Sequence, residues 1–241
     1  MKAIAFNTSP RGRKGYTEKL LQPFLEGLRQ TGTDLKLYYM NELDIQSCRG
    51  CTEDSAYETD GKCKCDDDMS DLYPVFRESD IWIFAAPNYP NTSSPELKKL
   101  LDRLEPLYQP VFETNGSESA DEFREKEKND KIVFISTSGL WEKSAFNLIE
   151  DHLISVSMLF DKEYAGSLLR PHSWALEALT EMGYEPKDVY ESAYQAGIEV
   201  VKNGVIPDDI RDNISRELVP KENFMNELSD FMKNVKNGGQ D

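Results

Sequence analysis

Apolar positions along this 241-residue chain switch repeatedly between the continuous runs of buried strands and the three-to-four spacing of helices. Lys2-Ala3-Ile4-Ala5-Phe6-Asn7 reads as a first strand. From about Tyr16, a helix is predicted by Leu20, Leu21, Phe24, Leu25 and Leu28. Leu35–Tyr39 is a second strand, and a helix follows from about Met69 to Glu78. Ile81-Trp82-Ile83-Phe84-Ala85-Ala86 is an unbroken apolar run, the pattern of a strand covered on both faces. A helix over Pro95–Leu107 carries Leu97, Leu100, Leu101 and Leu104 on one face. Lys131–Ser136 reads as strand four and Glu163–Leu169 as a weaker strand five, with His152 in a helical stretch between them. Beyond Ser173 the pattern is helical over Ala175–Met182, Pro186–Lys202, Pro207–Ile214 and Lys221–Lys233, punctuated by Gly183, Gly204 and Pro207.

Alternation of this kind predicts βαβ units and an α/β fold with a doubly wound, five-stranded parallel sheet. Residues 1–172 are expected to form that domain and 173–241 a helical C-terminal extension. The polar stretch 113–130, with Gly116, Ser117, Ser119 and many charges, reads as a mobile surface insertion.

Charge and composition narrow the function. A net charge of −16 argues against a nucleic-acid or anionic-membrane surface, both of which reward positive patches. No apolar run approaches the roughly 20 residues that span a bilayer. The N-terminus enters a strand directly, without a signal-peptide pattern, so the expected location is cytoplasmic. The expected partners are small molecules, not nucleic acid or membrane. Four cysteines, all between positions 48 and 65, read as metal or redox chemistry before disulfides.

Three loops at strand ends carry the chemistry. Ser9-Pro10-Arg11-Gly12-Arg13-Lys14-Gly15-Tyr16-Thr17 joins strand one to its helix with hydroxyls, glycines and three cations in an acidic chain. Unpaired amides and the helix dipole at such a point favour an anion, although an ordinary capped turn would look much the same. The loop lacks G-x-G-x-x-G and G-K-[ST], so a phosphate would be held by Ser9, Thr17, backbone amides and the fork of Arg11. Pro87-Asn88-Tyr89-Pro90-Asn91 and the serines after it leave strand three, and Ser136-Thr137-Ser138-Gly139-Leu140-Trp141 leaves strand four. Carboxyl ends of strands in open α/β sheets are where ligands bind.

Ser9-Pro10-Arg11 with Gly15 and Thr17 resembles the N-terminal signature of the NAD(P)H-dependent FMN reductase and iron–sulfur flavoprotein group. The likeness continues through Cys48-Arg49-Gly50-Cys51, Gly61-Lys62-Cys63, Asp67-Asp68-Met69, Pro87-Asn88-Tyr89, Leu97-Lys98 and Leu101-Asp102-Arg103. It covers roughly the first 140 residues. The resemblance implies a flavodoxin-like fold and non-covalent FMN, with NAD(P)H as co-substrate. Ser9, Arg11, Gly15, Tyr16 and Thr17 would lie at its phosphate, Tyr16 standing where the family commonly has Asn. Pro87, Asn88, Tyr89, Pro90 and Asn91 would run along the ring, with Ser138, Gly139 and Leu140 on its other side. No catalytic side chain is implied, because the flavin carries the chemistry.

The cysteines depart from the group's cluster-bearing pattern, which is a compact C-x-x-C-x-x-C with a fourth cysteine soon after. Asp54 stands at the third position, residues 57–60 lengthen the loop, and Cys65 is extra. Cys48, Cys51, Cys63 and Cys65 suffice in number for a [4Fe-4S] cluster. A reduced, metal-free loop stands slightly ahead of the cluster, and zinc well behind both. Asp66-Asp67-Asp68 is expected to cap the helix at Met69. His152 and His172 read as structural, Trp82 as core, and Trp141 as either bordering the flavin or buried elsewhere.

The resulting expectation is an FMN-dependent NAD(P)H oxidoreductase that passes electrons to a quinone, a flavin or a similar acceptor by ping-pong hydride transfer. The resemblance implies a homodimer or homotetramer. An iron–sulfur flavoprotein fed by ferredoxin and a non-enzymatic flavin sensor are the alternatives.

Overall fold

The computed structural model describes residues 1–51, 63–89, 92–107, 130–226 and 229. The expected insertion 113–130, apart from Asp130, and most of the expected last helix beyond residue 226 lie outside them. Strands β1 (Lys2–Asn7), β2 (Asp34–Tyr39), β3 (Ile81–Pro87), β4 (Lys131–Thr137) and β5 (Glu163–Arg170) form one parallel sheet in the order β2-β1-β3-β4-β5. The helices are α1 (Tyr16–Gln30), α2 (Met69–Glu78), α3 (Pro95–Asp102), α4 (Asn147–Leu159), α5 (Trp174–Glu181), α6 (Lys187–Asn203) and α7 (Asp208–Ser215). This is the flavodoxin-like arrangement expected from the sequence.

Alternation along the central strands assigns different work to the two faces. Register aligns Ile4, Trp82 and Ile132 in one row and Phe6, Phe84 and Phe134 in the next. These bulky rows face α2, α3 and α4, where Phe76 stacks on Phe6 at 5.1 Å and meets the edge of Trp82 at 4.9 Å. Ala3, Ala5, Ala85, Ile83 and Val133 point the other way, toward α1, α5, α6 and α7. Small residues in β1 let α1 lie close to the sheet.

On that second face α1 and α6 cross at two glycines. A Cβ on Gly27 would lie 2.0 Å from Tyr194 O, and one on Gly197 would lie 2.1 Å from Phe24 O. Backbone touches backbone here, so the helices cannot yield to a side chain by rotamer change. The segment after Ser173 thus supplies core side chains to the sheet, among them Leu176, Val189, Ala193, Ala196 and Val200.

The helix predicted over Pro95–Leu107 stops at Asp102, and a separate 3-10 turn occupies Glu105–Leu107. Pro106 disfavours helical backbone at the residue before it. Leu104 therefore reaches the core from beyond the helix, while Leu101 is only half-buried. Between them Arg103, 1% exposed, grips Asp67 with Nη1–Oδ2 at 2.6 Å and Nη2–Oδ1 at 2.9 Å. Asp67 also accepts from the amides of Gln46 (2.9 Å) and Met69 (3.1 Å). The cap expected from the Asp66–Asp68 triplet is therefore provided by Asp67. One carboxylate ties the loop after β2, the start of α2 and the end of α3.

Two outcomes follow from this packing. Gly197→Ala is expected to lower stability by about 2–3 kcal/mol, as overpacking against unyielding backbone does, read from the urea midpoint. Burial alone would raise the Asp67 pKa, but the bonds from Arg103, Gln46 and Met69 outweigh it and hold it below the ordinary carboxylate range. Its contribution is then complete above the unfolded value of about 4 and disappears as pH falls through the folded value. Asp67→Asn should cost about 3 kcal/mol at pH 7, and the gap between variant and wild type in urea melts should narrow steadily below pH 4.

Candidate functional site

The strand order brings the loops after β1, β3 and β4 to one edge, and hydrogen bonds carry the sheet one residue further into each. Thr8 N donates to Ala85 O (2.8 Å), Asn88 N to Thr137 O (2.9 Å) and Ser138 N to Arg170 O (3.0 Å). Side chains then tie the loops to one another. Thr8 Oγ1 lies 3.1 Å from Ser94 Oγ, and Thr17 Oγ1 lies 2.9 Å from Thr137 Oγ1. Asn88 Nδ2 donates to Ala145 O at 2.9 Å. All of these groups except Ala145 O belong to residues less than 8% exposed.

The first loop is shaped from beneath by Glu18, an acid buried in the first turn of α1. It accepts from Asn7 Nδ2 (2.7 Å), the Tyr39 hydroxyl (2.6 Å) and Gln22 Nε2 (2.7 Å). Held this way, Asn7 presents Oδ1 to the amide of Ser9 at 2.9 Å. Ser9 Oγ accepts from Arg11 N (3.3 Å) and lies 2.7 Å from where a Cβ on Gly15 would stand. Gly15 is also the N-cap of α1 and offers no side-chain acceptor, so the first-turn amides of Tyr16 and Thr17 have no capping side chain. Thr17 points its hydroxyl inward to Thr137, leaving its amide as the group it can offer a ligand.

The three cations of the loop divide. Arg13 pairs with Glu42 and lies 3.9 Å above the Tyr39 ring. Arg11 and Lys14 are exposed. Arg11 stands beside Tyr16 and Glu177 closely enough to favour their charged forms. Tyr16 donates to Glu177 Oε2 at 2.7 Å, and burial with that bond pushes its phenol up to about 12. Glu177, on α5, was not among the residues that sequence reasoning singled out.

In the second loop Asn88 is 7% exposed, and its Oδ1 is a buried acceptor without a partner among the described residues. Tyr89 is exposed, and its backbone closes a turn with Thr92 (2.9 Å). Ser94 caps α3 through Leu97 N (3.3 Å). Pro90 and Asn91 lie outside the described residues. In the third loop Leu140 N donates to Ser138 Oγ (3.1 Å), and Trp174 Nε1 donates to Gly139 O (3.1 Å). Leu140 is half exposed.

Behind this third loop stands a buried arginine with no carboxylate bonded to it among the described residues. Arg170 donates to Pro171 O, Ile214 O and Arg216 O at 2.6–2.8 Å and to His172 Nε2 at 2.6 Å. Burial, with Arg216 nearby, brings its pKa down to about 9. His172 is held neutral by burial and by Arg170, at about 3. It also accepts from Leu218 N (3.3 Å), donates its amide to Leu140 O (2.7 Å) and stacks on Trp141 at 4.3 Å. Its φ of +39°, unusual for a residue with a Cβ, lets one residue make all these contacts. His172 is thus structural, and Trp141 packs on it and on Phe224.

The cysteines do not converge. Among the described residues no three His, Cys, Asp or Glu side chains are grouped as a metal-ligand set. Cys48 is exposed, Cys51 and Cys63 are half-buried and Cys65 is buried. Cys63 Sγ accepts from Arg103 Nη2 at 3.3 Å. The four side chains as placed do not fit a [4Fe-4S] cluster. The three loops do fit FMN. They offer uncapped amides and a cation for a phosphate, a cradle at Ser9–Gly15 too narrow for a Cβ, and the orphaned Asn88 Oδ1 for a ligand N–H.

No helix among the described residues is long and apolar enough to cross a membrane. The chain is 30% identical over 107 residues to an iron-sulfur flavoprotein of Methanocaldococcus jannaschii, covering 44% of this chain and 53% of that one. It is 32% identical over 106 residues to an iron-sulfur flavoprotein of Archaeoglobus fulgidus, covering 44% and 46%. The matched stretch thus spans about half the length of these curated relatives. Among solved structures, an azoreductase from Bacillus anthracis superposes with a TM-score of 0.61 at 14% identity, covering 83% of this chain and 99% of that one. The family model for NADPH-dependent FMN reductase matches residues 1–159, and the chain belongs to that family.

Proposed function

We propose that FMN binds at the edge formed by the loops after β1, β3 and β4, and that the loaded protein passes electrons from NAD(P)H to a small acceptor in a ping-pong sequence. One observation carries the reading: three loops, cross-tied through buried hydroxyls, surround an α1 N-terminus that no side chain caps. FMN supplies hydride acceptance from the nicotinamide and electron delivery to the acceptor. The chain supplies binding and shape.

The amides of Tyr16 and Thr17, with Ser9 and the Arg11 fork, hold the phosphate. Glu18 acts through Asn7 to fix the Ser9 backbone, and so is a positioning residue. Pro87, Asn88 and Tyr89 would line one side of the ring, and Ser138, Gly139 and Leu140 the other. The exposed apolar surfaces of Tyr89 and Leu140 suit a flat aromatic group. A quinone or a free flavin is the acceptor class, since both are planar and take the place a nicotinamide vacates. The reading extends to a homodimer or homotetramer, supported by the family resemblance and by the exposure of Leu140 beside the site.

Anaerobic titration with FMN followed by mixing with NADPH or NADH tests the whole reading. Visible flavin absorbance should bleach in one turnover, and steady-state plots with a quinone should be parallel lines. A chain that takes up no FMN sinks the proposal. Arg11→Ala and Ser9→Ala should each weaken FMN binding about tenfold, the loss of roughly 1.4 kcal/mol expected for one charge-assisted or buried bond. Gly15→Ala, which displaces Ser9 Oγ, should do at least as much while leaving the thermal midpoint of the flavin-free protein within about 3 °C of wild type.

A further inference from the structure

Helix α5 follows β5 closely and bonds two of the three loops. Trp174 and Glu177 stand three residues apart on it, so they share one face. Trp174 Nε1 donates to Gly139 O at 3.1 Å, and a Cβ on Gly139 would lie 2.7 Å from that nitrogen. The indole edge therefore rests directly on the backbone of the third loop, which Ser173 N also bonds through Ser138 O at 2.8 Å. At the other loop, Glu177 Oε2 accepts from the Tyr16 hydroxyl at 2.7 Å, and Lys19 Nζ lies 3.4 Å from Glu177 Oε1. Both partners come from the first turn of α1, whose amides no side chain caps. Between the two contacts, Ala175 and Leu176 are buried, so α5 is anchored in the core and not by the loops alone.

We propose, resting on the FMN site proposed for these loops, that Trp174 and Glu177 are positioning residues for the two ends of the flavin. Trp174 sets the ring-side loop through Gly139, and Glu177 sets the phosphate loop through Tyr16. Both lie beyond residue 159, where the family match ends. The amides of Tyr16 and Thr17 can meet a phosphate together only when the first turn of α1 is formed, and helix ends fray when nothing holds them. Gly15 at the N-cap has no side chain to hold that turn. The Tyr16–Glu177 bond holds it from outside and uses none of its amides. A carboxylate beside a phosphate would repel it, but Lys19 meets the charge on the same side chain. At the ring end, Gly139 has no side chain and Leu140 is half exposed, so Trp174, Ser173 and His172 give that loop its shape. A ligand that meets loops already in place loses less free energy to ordering them.

Binding rather than turnover tests this. The flavin-free, full-length protein is titrated by flavin fluorescence with FMN and with riboflavin, which carries the ring but no phosphate. Tyr16→Phe and Glu177→Ala should each weaken FMN about fivefold and change riboflavin by less than about twofold. The double variant should be no weaker than either single one, because both remove the same bond. Glu177→Gln keeps an acceptor for the hydroxyl and should stay within about twofold of wild type. Trp174→Phe keeps a ring against Phe224 but loses the N–H, and should weaken FMN and riboflavin by the same factor, about threefold. Tyr16→Phe removes one exposed bond and keeps its ring, so the phosphate end is tested without disturbing the fold. Unchanged or tighter FMN binding in Glu177→Ala would overturn the assignment at that end, as would an equal loss of FMN and riboflavin. Loss of FMN alone in Trp174→Phe, or a wild-type protein that binds FMN but no riboflavin, would overturn it at the ring end. A wild-type protein that takes up no FMN fails the proposed site itself, and the roles of both residues with it.

Discussion

The site depends on the sheet's hydrogen-bond ladder running past the ends of its strands. Thr8, Asn88 and Ser138 are each the first residue of a loop, and each still donates to the neighbouring strand. Each bond is modest by itself, about 1 kcal/mol net. Acting together they fix the departure of three loops from one rigid element, so the loops cannot drift separately. Thr17–Thr137 and Thr8–Ser94 are possible only because that departure is fixed. The small hydroxyls of Thr8, Thr17, Ser94 and Thr137 close the interior of the loop cluster.

Two buried arginines show contrasting solutions to the same cost. Arg103 is desolvated but gripped by Asp67, and its charge is held firmly. Arg170 is desolvated without a carboxylate; three carbonyls and an imidazole satisfy its donors, and its pKa falls to about 9. Carbonyl oxygens supply geometry with less electrostatic return. Each arginine organises a different region. Arg103 fixes the loop after β2 and bonds Cys63, and Arg170 fixes the back of the loop after β4.

Much of this fold was legible because its strands are covered on both faces. The run Ile81–Ala86 and the strand Lys2–Asn7 could scarcely be read otherwise, and the three loops at their ends were recognisable by small and polar residues. Individual side-chain roles were not legible. Thr17 in the first turn of a helix looks like an anion ligand, yet its hydroxyl turns inward because Thr137 stands opposite, a partner 120 residues away. Glu18 was not singled out in the sequence, and its burial depends on Asn7 and Tyr39, from β1 and β2. The early end of α3 did have a local cause in Pro106. The disposition of the cysteines had none, because spacing gives the number of thiols but not the direction each one faces.

The family match ends at residue 159, yet the loop at 138–141 is held by residues beyond it. Ser138 is tied to Arg170 and Ser173, Gly139 to Trp174, and Leu140 to His172. His172 and Arg170 in turn grip the backbone at Ile214, Arg216 and Leu218, and Phe224 closes the aromatic group around Trp141. The loop at 138–141, proposed as one wall of the site, is therefore held by the C-terminal third of the chain. The Glu18–Asn7–Ser9 bonds that shape the first loop lie near the N-terminus, while Tyr16 and Thr17 reach across to Glu177 and Thr137. The bond from Tyr16 to Glu177 joins the first loop to α5, so the two ends of the proposed site are coupled. Changes in the last helices leave the Glu18–Asn7–Ser9 bonds untouched, because none of those bonds passes through them, but they reach the first loop through Glu177 and Tyr16.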